Sequence, residues 1–176
     1  SAFGSEPVIV ATGATPRLLR RVPGYEKMVE ASEFLLCKKE AGEPVAVIGG
    51  GLTGSEIAYE LALSGKKPII IEMKDDLVSQ KGVCLANSSY LREWFALHRV
   101  PVYLETTLKE VHDGYVICTA KDGSELKLEC DSVISCAGYI PAPVAGVKKS
   151  ALVGDCGGVG NLRTVVWSAY EAAMRI

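Results

Sequence analysis

The sequence AVIGGGLTGSE, residues 46–56, has the residue types and spacing of a phosphate-binding loop. Its glycines satisfy G-x-G-x-x-G between an apolar strand-like run and an apolar helical pattern. Gly49 permits the tight turn, Gly51 lets a pyrophosphate approach the backbone, and Gly54 allows close helix–strand packing. Backbone N–H groups at the helix start then face the phosphates. The predicted cofactor contacts are Gly49, Gly50, Gly51, Leu52, Thr53 and Gly54; an accidental glycine-rich turn is the alternative.

Two acidic residues extend the predicted site. Glu72 ends the next apolar run, 23 positions after Gly49. A carboxylate there accepts hydrogen bonds from the ribose hydroxyls and repels a 2′-phosphate, which favours NAD(H) over NADP(H). The nearby Lys74 weakens that preference, although a solvated charge is its simpler interpretation. Glu56, in the first helical turn, is predicted to contact the cofactor near its nicotinamide end, unless it serves only the helix dipole.

An internal similarity links the two ends of the chain. The segments VIVATGATP, residues 8–16, and VISCAGYIP, residues 133–141, share the frame V-I-x-x-x-G-x-x-P. Coincidence between two apolar strands is one explanation. The functional explanation is that the same kind of strand closes two related nucleotide-binding units. It adds Thr12, Gly13 and Gly138 to the predicted cofactor contacts.

Composition restricts the class of protein. The chain has 176 residues, of which 48% are hydrophobic, and a net charge of -2. These values favour a folded domain and argue against nucleic-acid binding. No apolar run is long enough to span a membrane, and the start lacks a signal-peptide pattern. We therefore expect a cytoplasmic protein.

Six cysteines are present without any CxxC pair, so the sequence supports neither a zinc ribbon nor a thioredoxin-like motif. Cys118, Cys130 and Cys136 lie in apolar runs, which is typical of free buried thiols in a reducing compartment. His98 and His112 are isolated and are expected to be surface or structural residues. No metal site is predicted.

The remaining sequence predicts the elements that position these residues. Strands are expected over 7–13, 43–51 and 67–73, and helices over 32–42, 52–67 and 87–100. Ser32 is the expected cap of the first helix, and residues 14–24 are expected to be an irregular connector. Gly65 is expected just past the helix that follows the glycine loop.

After residue 100 the pattern changes to β-rich stretches. Breaks at HDG (112–114) and KDG (121–123) predict an antiparallel meander, returning to a strand at 131–138. A final helix is expected over 160–176, with an apolar face of Leu162, Val165, Val166, Ala169, Tyr170 and Ala173. The fold class is therefore α/β: a Rossmann-like dinucleotide-binding fold with a parallel sheet, an antiparallel β-meander and flanking helices.

Four segments together resemble the two-dinucleotide-binding flavoprotein oxidoreductases: VIVATGATP, VIGGGLTGSEIAYEL, VISCAGYIP and VGDCGGVGNLRTVVWSAYEAA. The last is most similar to the C-terminal region of the old-yellow-enzyme-type 2-enoate reductase, 2,4-dienoyl-CoA reductase and NADH oxidase group. The resemblance implies that Gly154 and Asp155 touch the ribityl chain of FAD. It also implies that the helix starting near Gly160 points its N-terminus at the flavin or its phosphates. For Asp155 the alternative is a turn residue that caps this helix.

The resemblance implies a domain division. Residues 1–16 would be the last strand of a truncated FAD-binding unit, 17–141 the NAD(H)-binding domain, and 142–176 the returning tail of the FAD-binding unit. The glycine motif for FAD would precede the chain, so we expect a fragment of a longer polypeptide. An FMN-carrying barrel and an iron–sulfur cluster would lie upstream in it. The connection from Gly138 to Gly154 is shorter than the resemblance implies.

The expected function follows from this resemblance. NADH would pass a hydride to FAD, and the longer protein, which could be a homo-oligomer, would reduce an activated C=C bond of the enoate or dienoyl-CoA type. No residue is predicted to be a catalytic acid, base or nucleophile. One alternative is a non-catalytic NAD(H)-sensing module. The other is the NADH domain of a ferredoxin or disulfide reductase.

Overall fold

The computed structural model describes residues 7–80, 82–147 and 150–175. The chain forms two compact units. Residues 18–137 make one, which we call the inserted unit, and the segments on either side of it make the other, the outer unit. The predicted boundaries lay at 16/17 and 141/142, so the second differs by four residues. The difference arises because residues 139–141 pair with a strand of the outer unit.

In chain order the strands are β1 (Val8–Val10), β2 (Ala14–Pro16), β3 (Val29–Glu30), β4 (Val45–Ile48), β5 (Pro68–Ile71), β6 (Val102–Tyr103), β7 (Thr107–His112), β8 (Tyr115–Thr119), β9 (Glu125–Glu129), β10 (Ser132–Ser135), β11 (Tyr139–Pro141) and β12 (Ser150–Leu152). The helices are α1 (Ala31–Leu35), α2 (Leu52–Leu63), α3 (Leu85–Leu97) and α4 (Leu162–Ala173).

The inserted unit is built on a five-stranded parallel sheet in the order β3-β10-β4-β5-β6. Strands β4 and β5 are continuous runs of apolar and mostly β-branched residues, as expected for strands covered on both faces. Helices α1 to α3 contribute side chains to one core cluster, and the meander contributes to another. The predicted α/β class and Rossmann-like sheet are confirmed.

The meander β7-β8-β9 is antiparallel and turns at the two predicted Asp-Gly sites. Gly114 and Gly123 have φ of 85° and 83°, the left-handed conformation that such turns require. Leu108, Leu126 and Leu128 pack with the cluster that covers one face of the parallel sheet. The meander therefore takes the place of a second helical layer.

The outer unit contains a parallel pair, β1 with β12, and an antiparallel pair, β2 with β11. The two copies of the repeated frame meet in the second pair, where Thr15 lies opposite Ile140. Just beyond it the Arg17 N–H donates to the Gly138 carbonyl at 2.9 Å. Residues 14–16 are thus a strand, not an irregular connector. Their partner lies more than 120 residues away, so no local pattern could reveal it.

Two predicted helices are corrected. The helix expected over 32–42 ends at Leu35, and Cys37 then adopts a φ of 54°. Its cap is Glu30, not Ser32: the Glu30 carboxylate accepts the Ser32 N–H at 2.8 Å. Glutamate is not a preferred capping residue, and the hydroxyl of Ser32 itself bonds to Glu30.

The bounds of the last helix are the second correction: the prediction was 160–176, and α4 runs from Leu162 to Ala173. Its apolar face is exposed, because α4 has no buried residue and Leu162 is 80% exposed. No helix among the described residues is long and apolar enough to cross a membrane.

Candidate dinucleotide-binding site

The glycine loop joins β4 to α2 at the edge of the sheet where its strands end. Gly49 has a φ of 107°, and a Cβ built on it would lie 2.5 Å from the Cys136 carbonyl oxygen. A Cβ on Gly54 would collide with the Gly49 carbonyl oxygen. Both positions therefore need glycine, one for the turn and one for the packing of α2 on β4.

Gly51 occupies a different environment. It caps α2 with an extended backbone. Among the described residues, a Cβ on it would contact only the Gln80 amide, at 3.6 Å or more. The first α2 hydrogen bond runs from the Ser55 N–H to the Gly51 carbonyl at 2.9 Å. The N–H groups of the first helical turn, which includes Leu52 and Thr53, have no hydrogen-bond acceptor within the helix. These features fit a dinucleotide: an open backbone surface next to a helix N-terminus.

Gly50 is enclosed. Its N–H donates to a Glu72 carboxylate oxygen at 2.5 Å, and its carbonyl accepts from the Val78 N–H at 2.8 Å and the Ser55 hydroxyl at 3.1 Å. A Cβ would collide with the Leu77 side chain. The Gly50 N–H therefore donates within the protein and is not available to a phosphate. The role of Gly50 is to hold the conformation of the loop.

Glu72 is 7% exposed and sits directly after β5. One carboxylate oxygen accepts the Gly50 N–H, and the other accepts the Lys74 N–H at 2.8 Å. Each carboxylate oxygen has a second lone pair, so two acceptor positions remain for another donor. The residue therefore supports the glycine loop as well as offering acceptors, a double role that the sequence analysis missed.

Glu56 and Thr53 lie on the exposed side of α2. They line one part of a groove of about 1040 Å³ that extends along α2 toward Phe34 and Tyr90. The three glycines of the motif and Glu72 do not line it. Glu56 is the fifth residue of α2, so the predicted first-turn position is wrong by one residue, because the helix begins at Leu52. Its side chain lines the groove.

Cys136 lies beneath the loop, immediately after β10. Its N–H donates to the Ile48 carbonyl at 2.8 Å, next to Gly49 and Gly54. Burial raises the pKa of its thiol to about 12, and the Glu30 carboxylate adds to that rise. Burial likewise raises the pKa of Cys118 and of Cys130 to about 11. These thiols are poor nucleophiles and act as packing residues.

In the outer unit, two of the predicted contacts, Thr12 and Gly13, are linked through the backbone of Ala142. The Thr12 hydroxyl donates to the Ala142 carbonyl at 2.6 Å, and the Ala142 N–H donates to the Gly13 carbonyl at 3.0 Å. Gly13 and Gly138 have φ of 74° and 83°, so the repeated frame turns in the same way in both copies.

Gly154 and Asp155 follow β12. The Gly154 N–H donates to the Ser168 hydroxyl at 2.8 Å, and an Asp155 carboxylate oxygen accepts the Gly160 N–H at 3.1 Å. Asp155 is therefore a turn residue, but it does not cap α4. The cap is Asn161, which forms a capping box with Thr164.

The segment after Glu72 is also part of the site, although its residues were not among the predicted contacts. Leu77 and Val78 are buried against the loop, and Gln80 stands in front of Gly51. No sequence signal could have found this packing, because valine strongly disfavours the positive φ of 48° that Val78 adopts. Among the described residues, no group of three or more His, Cys, Asp or Glu side chains could hold a metal ion.

Comparison with known proteins gives a family match. Residues 2–159 match the profile of the pyridine nucleotide-disulphide oxidoreductases. The chain is 33% identical to cinnamate reductase of Clostridium sporogenes, over 99% of this chain and 27% of that protein. It is 27% identical to NADH oxidase of Thermoanaerobacter brockii, over 100% of this chain and 29% of that protein.

Among solved structures, a 2-naphthoyl-CoA reductase complex superposes with a TM-score of 0.81 at 23% identity. The match covers 94% of this chain and 26% of that one. The chain therefore spans a little over a quarter of the length of these relatives.

Proposed function

Because the chain belongs to the pyridine nucleotide-disulphide oxidoreductase family, whose members bind FAD and NAD(P), we propose that its inserted unit binds NADH. The observation that carries the proposal is the glycine loop. Gly49 and Gly54 cannot hold a side chain, whereas Gly51, at the start of α2, has only ordinary contact distances to the Gln80 amide in front of it among the described residues. Such a surface binds a pyrophosphate through backbone N–H groups and the helix dipole.

The adenosine half of NADH is placed at Glu72. The Glu72 carboxylate accepts hydrogen bonds from the Gly50 and Lys74 N–H groups and keeps lone pairs for the ribose hydroxyls. A 2′-phosphate would meet a buried negative charge there, which favours NADH over NADPH. Glu56 and Thr53 are placed toward the nicotinamide half.

We assign the outer unit to FAD. Thr12, Gly13 and Gly138 shape the ends of the repeated frame, and Gly154 and Asp155 precede α4, whose N-terminus favours a negative group. Bound NADH supplies the hydride and bound FAD accepts it. The residues of this chain bind and orient, and no described side chain is assigned as an acid or base.

In the longer protein, the remaining parts of the FAD site lie upstream, together with a barrel holding FMN and an iron–sulfur cluster. That protein reduces an activated C=C bond of the enoate or dienoyl-CoA type. The support is the likeness to a cinnamate reductase and to a 2-naphthoyl-CoA reductase, each of which extends well beyond the matched region.

The test is NADH titration of the chain by isothermal calorimetry. Gly51→Val should abolish binding, because its side chain would occupy the pyrophosphate position. Gly158→Val is the matched control, since a Cβ there meets nothing within 4 Å. Unchanged affinity in Gly51→Val would refute the site. NADH affinity without flavin reduction in the full-length protein would instead favour an NAD(H)-sensing module.

A further inference from the structure

The segment that follows Glu72 is held against the glycine loop by a strained residue. Val78 has a φ of 48°, a conformation that β-branched residues rarely adopt, and it is almost fully buried. Its N–H donates to the Gly50 carbonyl at 2.8 Å. Strain of this kind persists only where the surrounding structure fixes it, and such residues cluster at ligand-binding sites.

A second set of contacts fixes the same segment from the other side. The Arg92 guanidinium of α3 donates to the Leu77 carbonyl at 2.9 Å and 2.6 Å. It also pairs with the Asp76 carboxylate at 2.9 Å. The backbone of residues 76–78 is therefore anchored to both α3 and the glycine loop, which sets the position of Gln80 two residues later.

Gln80 faces the open side of Gly51. Its amide oxygen and nitrogen lie 3.6 Å and 3.8 Å from the position that a Gly51 Cβ would take. Among the described residues, no other heavy atom outside Gly51 and its neighbours is as near. The residue is exposed, and none of the hydrogen bonds found between described residues uses its side-chain amide. The Gln80 side-chain NH₂, which has two donor hydrogens, therefore lies next to the surface proposed to bind the pyrophosphate.

We propose that the Gln80 side-chain NH₂ donates a hydrogen bond to the pyrophosphate of the bound dinucleotide. The contact rests on the proposed function, because it requires NADH at the glycine loop. Gln80 then closes the phosphate site from the side opposite α2, and the anchored Leu77–Val78 backbone holds it there.

The test is a set of NADH dissociation constants for Gln80→Met, Gln80→Lys and Gln80→Glu. Methionine keeps the length but cannot donate, so affinity should fall about three- to tenfold. Lysine should restore or improve binding because it presents a cation to the phosphates. Glutamate should weaken binding most, and the loss should shrink as salt is raised.

Ala96→Glu and Ala96→Lys are the matched controls. Ala96 is exposed near the end of α3, just before β6, at the edge where the parallel strands begin. The same charges there should leave NADH affinity unchanged. Thermal unfolding midpoints of the Gln80 variants should match the wild type, because the side chain is exposed.

The outcomes separate this inference from the proposed function. If wild-type protein does not bind NADH, the proposed function itself fails. If wild type binds NADH and Gln80→Met binds equally well, the Gln80 contact is wrong while the site stands. Weakening by methionine without rescue by lysine would also overturn it, because the contact would not be with an anion.

Discussion

The inserted unit and the outer unit differ in how completely their apolar residues are covered. In the inserted unit, residues such as Val45, Val47 and Ile134 are fully buried in a sheet packed on both faces. Among the described residues of the outer unit, the buried hydrophobic side chains are only Val10, Val153 and Cys156. One unit holds a complete core, and the other does not.

The difference shows what nucleotide binding demands of a fold. A phosphate loop binds its ligand only if a rigid strand and a rigid helix hold its glycines in place. In the inserted unit, β4 and α2 do so because both are packed in the core. Two-stranded sheets are marginal by themselves, and α4 exposes Leu162, Trp167 and Tyr170. Exposed apolar surface of that kind is typical of interaction sites.

The largest expected contrast is between the two cofactors. The chain should bind NADH but should not retain FAD. A micromolar complex requires about 8 kcal/mol, whereas each neutral hydrogen bond offered near Gly154 and Asp155 contributes about 0.5–1.5 kcal/mol net. Flavin absorbance of the purified protein, followed by dialysis against FAD, measures this. A chain that stays yellow with stoichiometric FAD would contradict the view that the outer unit is an incomplete site.

The two units should also respond differently to loss of apolar side chains. Phe95→Ala in the inserted unit removes a ring that is 1% exposed and should lower the free energy of unfolding by about 3–5 kcal/mol. Leu162→Ala on α4 should change it by less than about 0.5 kcal/mol, as expected for an exposed position. Urea denaturation of both variants tests the comparison. Equal losses would mean that α4 has a core that the structure does not show.

A smaller effect concerns the completeness of the NADH site within the inserted unit. Glu72→Ala should weaken NADH binding by about 1–3 kcal/mol, because ribose hydroxyls lose an acceptor and the Gly50 N–H is left unpaired. NADPH should lose much less, since the lost charge was repulsive to its phosphate. Dissociation constants for both nucleotides decide. Asp75→Ala, which removes an exposed carboxylate nearby, is the control, and equal losses for NADH and NADPH would remove the basis for NADH preference.

The smallest expected effect is confined to the outer unit. Asn161→Ala removes the α4 cap and should cost about 1 kcal/mol of local helix stability. Hydrogen exchange should become faster in the α4 amides, with exchange in β4 and β10 unchanged. NADH affinity should stay the same. Faster exchange throughout the parallel sheet would mean that the two units unfold together.

Local patterns were sufficient for much of the fold. The apolar runs of β4 and β5, the Asp-Gly turns of the meander and the glycine motif each depend on neighbours in sequence, and the structure has them at those places. The same holds for Gly65, which follows α2 with a φ of 82°.

Features fixed by distant contacts were not predictable. Strand β2 exists because Thr15 pairs with Ile140, 125 positions away in the sequence. At the site, the Glu72 carboxylate bonds to the Gly50 N–H, and the Gln80 amide approaches Gly51. Gln80 follows Val78, which adopts a positive φ that valine disfavours, so its position could not be predicted from the residue types. Where tertiary contacts determine the conformation of a residue, its type does not allow that conformation to be predicted.

The hydrogen bond between Arg17 and Gly138 has an evolutionary and engineering consequence. It holds the residue before the inserted unit next to the residue after it, so that residues 18–137 begin and end at neighbouring positions of the outer unit. Segments whose ends already touch can be transplanted between hosts with little loop-closure entropy, because joining the ends demands no rearrangement of the host. The inserted unit could therefore be moved to another protein as a whole. A few linking residues between positions 17 and 138 would rejoin the chain from which it was removed.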